Sequence, residues 1–392
     1  MTNEGISEIL TNIQSCLLDF IEKEDNNEEN FQDLEILFDE HKIKEKKYYL
    51  ISIFHLIAEI ANNHYRSSNF FEKLGKIILF FKEEIKQSFS NKQIFNFFKS
   101  NKRLLLFLLE EKLMIIDDYV FNEITYGNFS SMYYPQYFYY EIKDFLSQKN
   151  EGEKGKKSDH DENFDIKRHI GENHHEICKL IQKDSIEDFI VYVNKNNYPL
   201  NRLIEPSIHE TNQFLLERRI KKEKNNWFTK EKSVEIIYTF SISLIEYAAF
   251  FGSIQIFKYL QDNRAPLKKS LWNYAIHGQN PEIIHILEEN NIWPKSYDDC
   301  LIESIKCHHN DIANYIEKNY LNYEKIDKSF TIFRQSLKYH NFAFINSYFI
   351  SQTCLYYFIK YDCPLYIDYI LKTVFVDINN VSILILIFLI KF

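Results

Sequence analysis

Glycine and proline are scarce in this chain: 8 and 7 of 392 residues. Sheets joined by tight turns depend on both residues, so the scarcity argues against a β-sandwich or β-barrel. Gly-rich phosphate-binding loops are nearly excluded for the same reason, and no GxGxxG, GxxxxGK[ST] or GxSxG motif occurs. The composition otherwise suits a globular chain, with 45% hydrophobic and 26% charged residues.

An excess of basic residues is also missing. The formal net charge is −9, whereas nucleic-acid-binding domains usually present a basic face. The few basic clusters lie in polar, acid-containing stretches, which indicates solvated loops. They are Lys154, Lys156 and Lys157, and then Arg218, Arg219, Lys221, Lys222 and Lys224. We therefore expect no nucleic-acid partner.

The sequence shows neither a secretion signal nor a full membrane span. The N-terminus, MTNEGISEIL, lacks the basic start and apolar run of a signal peptide, and the six cysteines form no close-spaced framework. We expect a cytoplasmic protein with free thiols. The apolar stretch 381–390 has ten residues, whereas a spanning helix needs about 20. Membrane attachment through this tail is an alternative that the sequence makes unlikely.

Apolar residues at steps of three and four predict helices throughout residues 1–147. Examples are Ile6, Ile13 and Leu17, and then Leu50 to Ile60. Residues 148–168 are glycine-containing and charged and predict a polar linker or loop. Residues 169–240 read as a degenerate helical-repeat segment, and residues 241–392 as a repeat array.

The repeat array contains five units whose first positions are Ala248, Ala275, Ser304, Ser336 and Phe358. Their internal spacing is constant while the connecting lengths vary, which is typical of paired helices joined by loops. Four residues after each first position lies a slot that ends the first helix. Gly252, Gln279, His308, His340 and Asp362 occupy these slots, where a positive φ is often required. Ser253 and Asn280 then suit an N-cap, and Pro281 and Pro364 suit the first helical turn.

The pattern A-A-x-x-G-x-x-x-I-x-x-x-L, from Ala248 to Leu260, resembles the ankyrin repeat. Three stretches are similar to a large, divergent ankyrin-type group of parasitic (trichomonad-type) protists that carries a domain of unknown function: 137–145, 177–197 and 244–260. The resemblance implies an all-α fold, an ankyrin-like helical-repeat solenoid preceded by an N-terminal helical region. The family has no established activity and implies no catalytic residues.

The residues themselves indicate no chemistry. His174, His175 and Cys178 form one group, and Cys300, Cys307, His308 and His309 another, but neither reaches a tetrahedral zinc set. We therefore expect no metal, no cofactor and no catalytic residue.

We expect a non-enzymatic scaffold that binds another protein through its concave face. The residues expected to be exposed there are Phe250, Phe251, His277, Lys306 and Cys307. The alternative is an enzyme with an unrecognised site in residues 1–147.

Overall fold

A computed structural model describes most of the chain. The described residues are 3–23, 28–64, 67, 69–127, 133–148, 163–216, 219–225, 232–238, 242–321, 326–345, 350–351 and 354–373. They form 23 α-helices and four short strands, so the predicted all-α class is confirmed. None of the helices in these ranges combines the length and the apolar character needed to cross a bilayer.

The chain divides into two compact units. Unit 1 combines Met1–Phe98 with Ser296–Phe392, and unit 2 is Lys99–Lys295. The expected domain boundaries after residues 147, 168 and 240 all fall inside unit 2. Apolar stripes identify the buried face of each helix but not the helix that covers it, so they did not reveal this grouping.

The first half of unit 1 consists of six helices and one 3₁₀ turn, Ile43–Glu45. The helices are α1 (Asn3–Glu22), α2 (Glu28–Glu40), α3 (Lys47–Asn63), α4 (Phe70–Phe80), α5 (Lys82–Ser88) and α6 (Asn91–Phe98). The predicted apolar stripe of α3 is buried, and Ile51, Ala58 and Ala61 on its other faces are buried as well. A helix that is buried on nearly all sides belongs at the centre of a fold, and α3 holds that place in unit 1.

The second half of unit 1 consists of helix pairs. Its elements are α19 (Tyr297–Lys306) with α20 (Asn310–Tyr320), α21 (Ile326–Lys338) with the 3₁₀ turn Phe342–Phe344, and α22 (Leu355–Lys360) with α23 (Pro364–Thr373). Helix α21 packs against both α19 and α22, and α23 packs against α1 and α3.

Unit 2 begins with α7 and ends with α18. Its helices are α7 (Lys102–Glu110), α8 (Asp118–Tyr126), α9 (Tyr134–Tyr137), α10 (Tyr139–Gln148), α11 (Phe164–Ile170), α12 (Glu176–Gln182), α13 (Ile186–Lys195), α14 (Gln213–Leu216), α15 (Leu244–Phe250), α16 (Ile254–Asp262), α17 (Leu271–Gly278) and α18 (Pro281–Glu289). Its strands form two antiparallel pairs. Strand β1 (Leu203–Ile204) pairs with β4 (Ile242–Ser243), and β2 (Arg219–Asn225) pairs with β3 (Lys232–Tyr238).

The predicted helix-ending slots all have positive φ. The values are +66° at Gly252, +49° at Gln279, +60° at His308, +49° at His340 and +57° at Asp362. In most of these turns the next residue donates its N–H to the carbonyl of the unit's first position, as in Ser253 to Ala248 at 2.9 Å and His309 to Ser304 at 3.0 Å. This is the bond of a Schellman C-cap.

The same turn ends α12, where Asp184 has φ +47° and Ser185 N–H bonds to the Leu180 carbonyl. Helices α12 and α13 are therefore a further pair of the same kind, inside the segment interpreted as degenerate.

The helix pairs of unit 2 pack side by side. First helices pack on first helices (α12, α15, α17) and second helices on second helices (α13, α16, α18). Ala248 and Ala275 are fully buried, as their small size predicts. A Cβ on Gly278 would lie 2.1 Å from the Ala249 carbonyl oxygen, so α15 and α17 approach at backbone distance.

The cap predictions are correct in three of four positions. Pro281 and Pro364 open α18 and α23, and Asn280 accepts the N–H of Glu282. Ser253 does not cap α16, because its hydroxyl donates to the Ile181 carbonyl instead. The carboxylate of Asp184 caps α16, accepting the N–H groups of Gln255 (3.0 Å) and Ile256 (2.9 Å).

The predicted linker, 148–168, lies only partly within the described residues. Residues 164–168 belong to α11 and are anchored, because Arg168 is buried and bonds to Glu141 at 2.9 Å through both terminal nitrogens. The linker prediction is therefore wrong for this end. The basic cluster 154–157 and the apolar tail 381–390 lie outside the described residues.

Candidate functional site

In unit 2, the predicted binding residues lie at the ends of α15 and α17. Phe250 and His277 are only 6% and 2% exposed, and Phe251 is half-buried. The ring of Phe214, on α14, covers the first two. Its centroid lies 5.9 Å from that of Phe250, nearly parallel, and 4.2 Å from that of His277. The expected exposure is therefore wrong for Phe250 and His277.

Phe214 is held in place by the irregular segment before α14. The buried carboxylate of Glu210 accepts three backbone N–H groups, from Asn173 (3.2 Å), Thr211 (2.9 Å) and Asn212 (2.8 Å). The Asn212 side chain in turn accepts the N–H of Phe214 at 2.9 Å. Sequence patterning gave no sign of this segment, because its order comes from buried polar bonds and not from apolar periodicity.

In unit 1, the other two predicted residues end α19. Cys307 is fully buried, so its expected exposure is wrong, and Lys306 is half-buried. The Lys306 ammonium donates to Glu303 at 2.9 Å. The carbonyl oxygen of Cys307 accepts from His64 Nδ1, on the residue that follows α3, at 2.8 Å.

Helix α3 lies along the turns that end α19, α21 and α22. His55 Nε2 lies 2.9 Å from the Asp362 carboxylate, and the His55 ring stacks on His340 with centroids 4.6 Å apart. The positive charges of Lys306 and Lys338 lie close enough to Glu59 to act against the rise in its pKa that burial causes. Three successive turns of the helix pairs therefore contact polar side chains of α3 or of His64, the residue that follows it.

Helix α1 adds a second, neutral set of bonds to the same half of unit 1. Gln14 donates to Asn341 Oδ1 at 2.8 Å and accepts the N–H of Phe342 at 2.6 Å. Asn341 also donates to the Ile305 carbonyl and to Asn310 Oδ1, both at 2.9 Å. The N-terminal region does not simply precede the helix pairs; in unit 1 it occupies the face on which a partner was expected.

The six cysteines are free thiols, and Cys178, Cys300, Cys307 and Cys363 are poorly suited to nucleophilic chemistry because burial raises the pKa of each. Burial raises the pKa of Cys178 to about 12, with the charge of Glu210 adding to the effect. Burial likewise raises the pKa of Cys300 to about 12 and that of Cys307 well above its ordinary value. Because the thiolate is the reactive form, these side chains stay inert near neutral pH.

The first predicted histidine group is committed to local contacts. His174 Nδ1 lies 3.0 Å from the Ser207 hydroxyl, and the His174 ring stacks on that of His175. A cavity of about 20 Å³ lies nearby in unit 2, lined among others by Asn173, Glu210 and Tyr247. That volume accommodates a water molecule, whereas small-molecule sites span about 300–1,000 Å³.

No protein-family model, no curated protein and no solved structure matches the chain.

Proposed function

We propose that this chain is a non-enzymatic scaffold of ankyrin-like helical repeats that binds another protein. The observation that carries the proposal is the docking of α3 on the turns of the helix pairs in unit 1. There α3 packs against α23, and His55 and His64 bond to polar groups of the turns, which supports the view that such a surface accepts an α-helix. The regular turns at the helix ends support the ankyrin-like interpretation.

Two features support a cytoplasmic setting and a protein partner. Six free cysteines in one chain suit a reducing compartment. The net charge of −9 favours a protein over a nucleic acid. In repeat proteins of this type, surface side chains determine the partner while the packed helices keep the framework.

Of the residues expected to bind, Phe251 and Lys306 retain exposed surface. Phe251 follows α15 and contacts Tyr247 and Phe250, with ring centroids 4.8 and 5.0 Å away. An aromatic ring held on a rigid turn is the type of side chain that dominates protein interfaces. We therefore place Phe251 in the binding surface.

The test compares Phe251→Glu with Val191→Glu in the full chain. Val191 is 63% exposed on α13 and serves as the matched apolar surface control. Tagged proteins are cross-linked in their native cell, and co-purified proteins are quantified after equal melting temperatures have been verified.

We expect Phe251→Glu to lose at least tenfold of one specific partner, which Val191→Glu retains. Equal recovery of every co-purified protein by both variants would contradict this placement of the binding surface.

A further inference from the structure

Histidines are concentrated where α3 meets the turns of the helix pairs in unit 1. Five of the thirteen in the chain lie there, and we call this group the histidine seam. Four of the five are less than 5% exposed, and His55 is the exception. The members are His55, His64, His308, His309 and His340.

Two of these rings, His308 and His340, are buried among backbone carbonyls and other imidazoles. The His308 ring faces the backbone carbonyls of Lys306, Tyr339 and His340, and the His340 ring faces that of Tyr361. Their neighbours in the seam include other imidazoles, whose charge would repel an added proton. His64 has this effect on His308, and His55 and His308 have it on His340. An added proton would therefore be placed in a buried site beside groups that can carry the same charge.

The acids around the seam pair with groups other than His308 and His340. Asp362 pairs with His55, and Glu22, on α1, lies 2.9 Å from His64 Nε2. Glu303 pairs with Lys306, and Glu59 accepts from Asn63 at 3.0 Å. Lys306 and Lys338 add positive charge from α19 and α21. No carboxylate within the described ranges forms an ion pair with His308 or His340.

The pKa values follow from this geometry. Burial, reinforced by His64, lowers the pKa of His308 from 6.5 to about 3. Burial, reinforced by His55 and His308, lowers the pKa of His340 well below 6.5. Glu59 responds in the opposite sense, because burial raises its pKa from 4.5 to about 7 despite the nearby Lys306 and His55.

We propose that the histidine seam is an acid-opened latch. Protonation of His308 and His340 releases the N-terminal helices α1–α6 from the helix pairs α19–α23 and uncovers the turns that α3 occupies. The two halves are separated in sequence by the whole of unit 2, so noncovalent contacts such as those of the seam hold them together. The latch does not depend on the proposed partner.

The direction of the pH effect follows from the number of protons that the open and the closed form each bind. A histidine with a lowered pKa stabilises the closed form above about pH 6.5, and this stability is lost as the pH falls toward its folded value. Glu59, with a raised pKa, stabilises the closed form below about pH 4.5 and loses that effect as the pH rises through about 7.

Between about pH 6.5 and 4.5 the open form therefore binds two extra protons at the histidines and one fewer at Glu59. The net single proton shifts the equilibrium toward the open form by about tenfold per pH unit.

The test uses thiol protection in the full chain. Cys363 is 2% exposed and follows Asp362, the partner of His55, whereas Cys178 is fully buried in unit 2 and serves as the internal control. The protein is pulsed with a pyridyl disulfide between pH 7.5 and 4.5, and each rate is divided by that of the urea-unfolded chain at the same pH. We expect the relative rate of Cys363 to rise about tenfold per pH unit below about 6.5, while Cys178 stays protected.

Variants assign the effect to the two histidines. In His308→Asn/His340→Asn, asparagine tolerates positive φ and cannot titrate. Of the three titrating groups only Glu59 then remains, so we expect the relative rate of Cys363 to fall, and not rise, as the pH is lowered. The single variant His340→Asn should give a nearly flat profile, because one histidine and Glu59 then cancel. His285→Asn, at an exposed position on α18, should keep the original profile.

Three results would overturn the latch: a Cys363 rate independent of pH, a parallel rise at Cys178, or an unchanged profile in the histidine variants.

Discussion

Replacing Gln14 with leucine should strongly destabilise unit 1. Gln14 is 1% exposed, and its amide makes the 2.8 Å bond to Asn341 and the 2.6 Å bond from the Phe342 N–H. Leucine matches glutamine in approximate size and leaves Asn341 Oδ1 and the Phe342 N–H buried without these bonds. Each such group costs about 1–3 kcal/mol, and the extra apolar burial returns about 1 kcal/mol. We expect a net loss of about 3 kcal/mol.

The unfolding of the two units can be followed separately by spectroscopy. All three tryptophans (227, 272 and 293) lie in unit 2, so tryptophan fluorescence reports on unit 2 and far-UV circular dichroism reports on both units. A loss of about 3 kcal/mol corresponds to a fall of about 1–3 M in the urea midpoint at ordinary m-values of about 1–3 kcal/mol/M. We expect this fall in the part of the dichroism change that belongs to unit 1.

The control is Gln32→Leu, at an exposed position of α2. A surface substitution of this kind should change the free energy of unfolding by no more than about 0.5 kcal/mol. If Gln14→Leu changes it equally little, then Gln14 does not join the two halves of unit 1 as described.

Two further predictions concern the turn between α17 and α18. Gly278→Ala should destabilise unit 2 by about 2 kcal/mol, since the new Cβ would lie 2.1 Å from the Ala249 carbonyl oxygen; an unchanged urea midpoint by tryptophan fluorescence would refute this close approach. Gln279→Gly should stabilise it by about 0.5–1 kcal/mol, because glycine adopts the φ of +49° without strain. Gln279→Ala keeps the strain and should show no such gain in the same titration.

The local structure of the helix pairs could be read from the sequence because each feature depends on near neighbours. A positive φ selects glycine, and to a lesser degree Asp and His, and all five predicted slots have this conformation. Pro281 and Pro364 mark first helical turns for an equally local reason.

The contacts that define the candidate surface could not be read in this way. The covering of His277 by Phe214 depends on buried polar bonds to Glu210, which follow no period. The docking of α3 joins segments on either side of unit 2. One clue was present in the sequence: His55 and His64 lie in and just after a helix that is otherwise apolar on nearly every side, where polar side chains need partners.

The identity of several slot residues follows from what lies against them. In unit 2, a Cβ on Gly252 would lie 2.5 Å from the Gly278 carbonyl oxygen, so the neighbouring backbone requires glycine. Asp184, Asp362 and His340 instead accept a conformation that costs an L-residue about 1–2 kcal/mol. Each of their side chains makes a contact that glycine could not make.

Asp184 caps α16, Asp362 pairs with His55, and His340 stacks on His55. The slot thus serves two purposes: it ends a helix, and it places a polar group on the turn surface. In unit 1 that group meets α3. In unit 1, the slot residues His340 and Asp362 therefore help to join the helix pairs to the N-terminal helices.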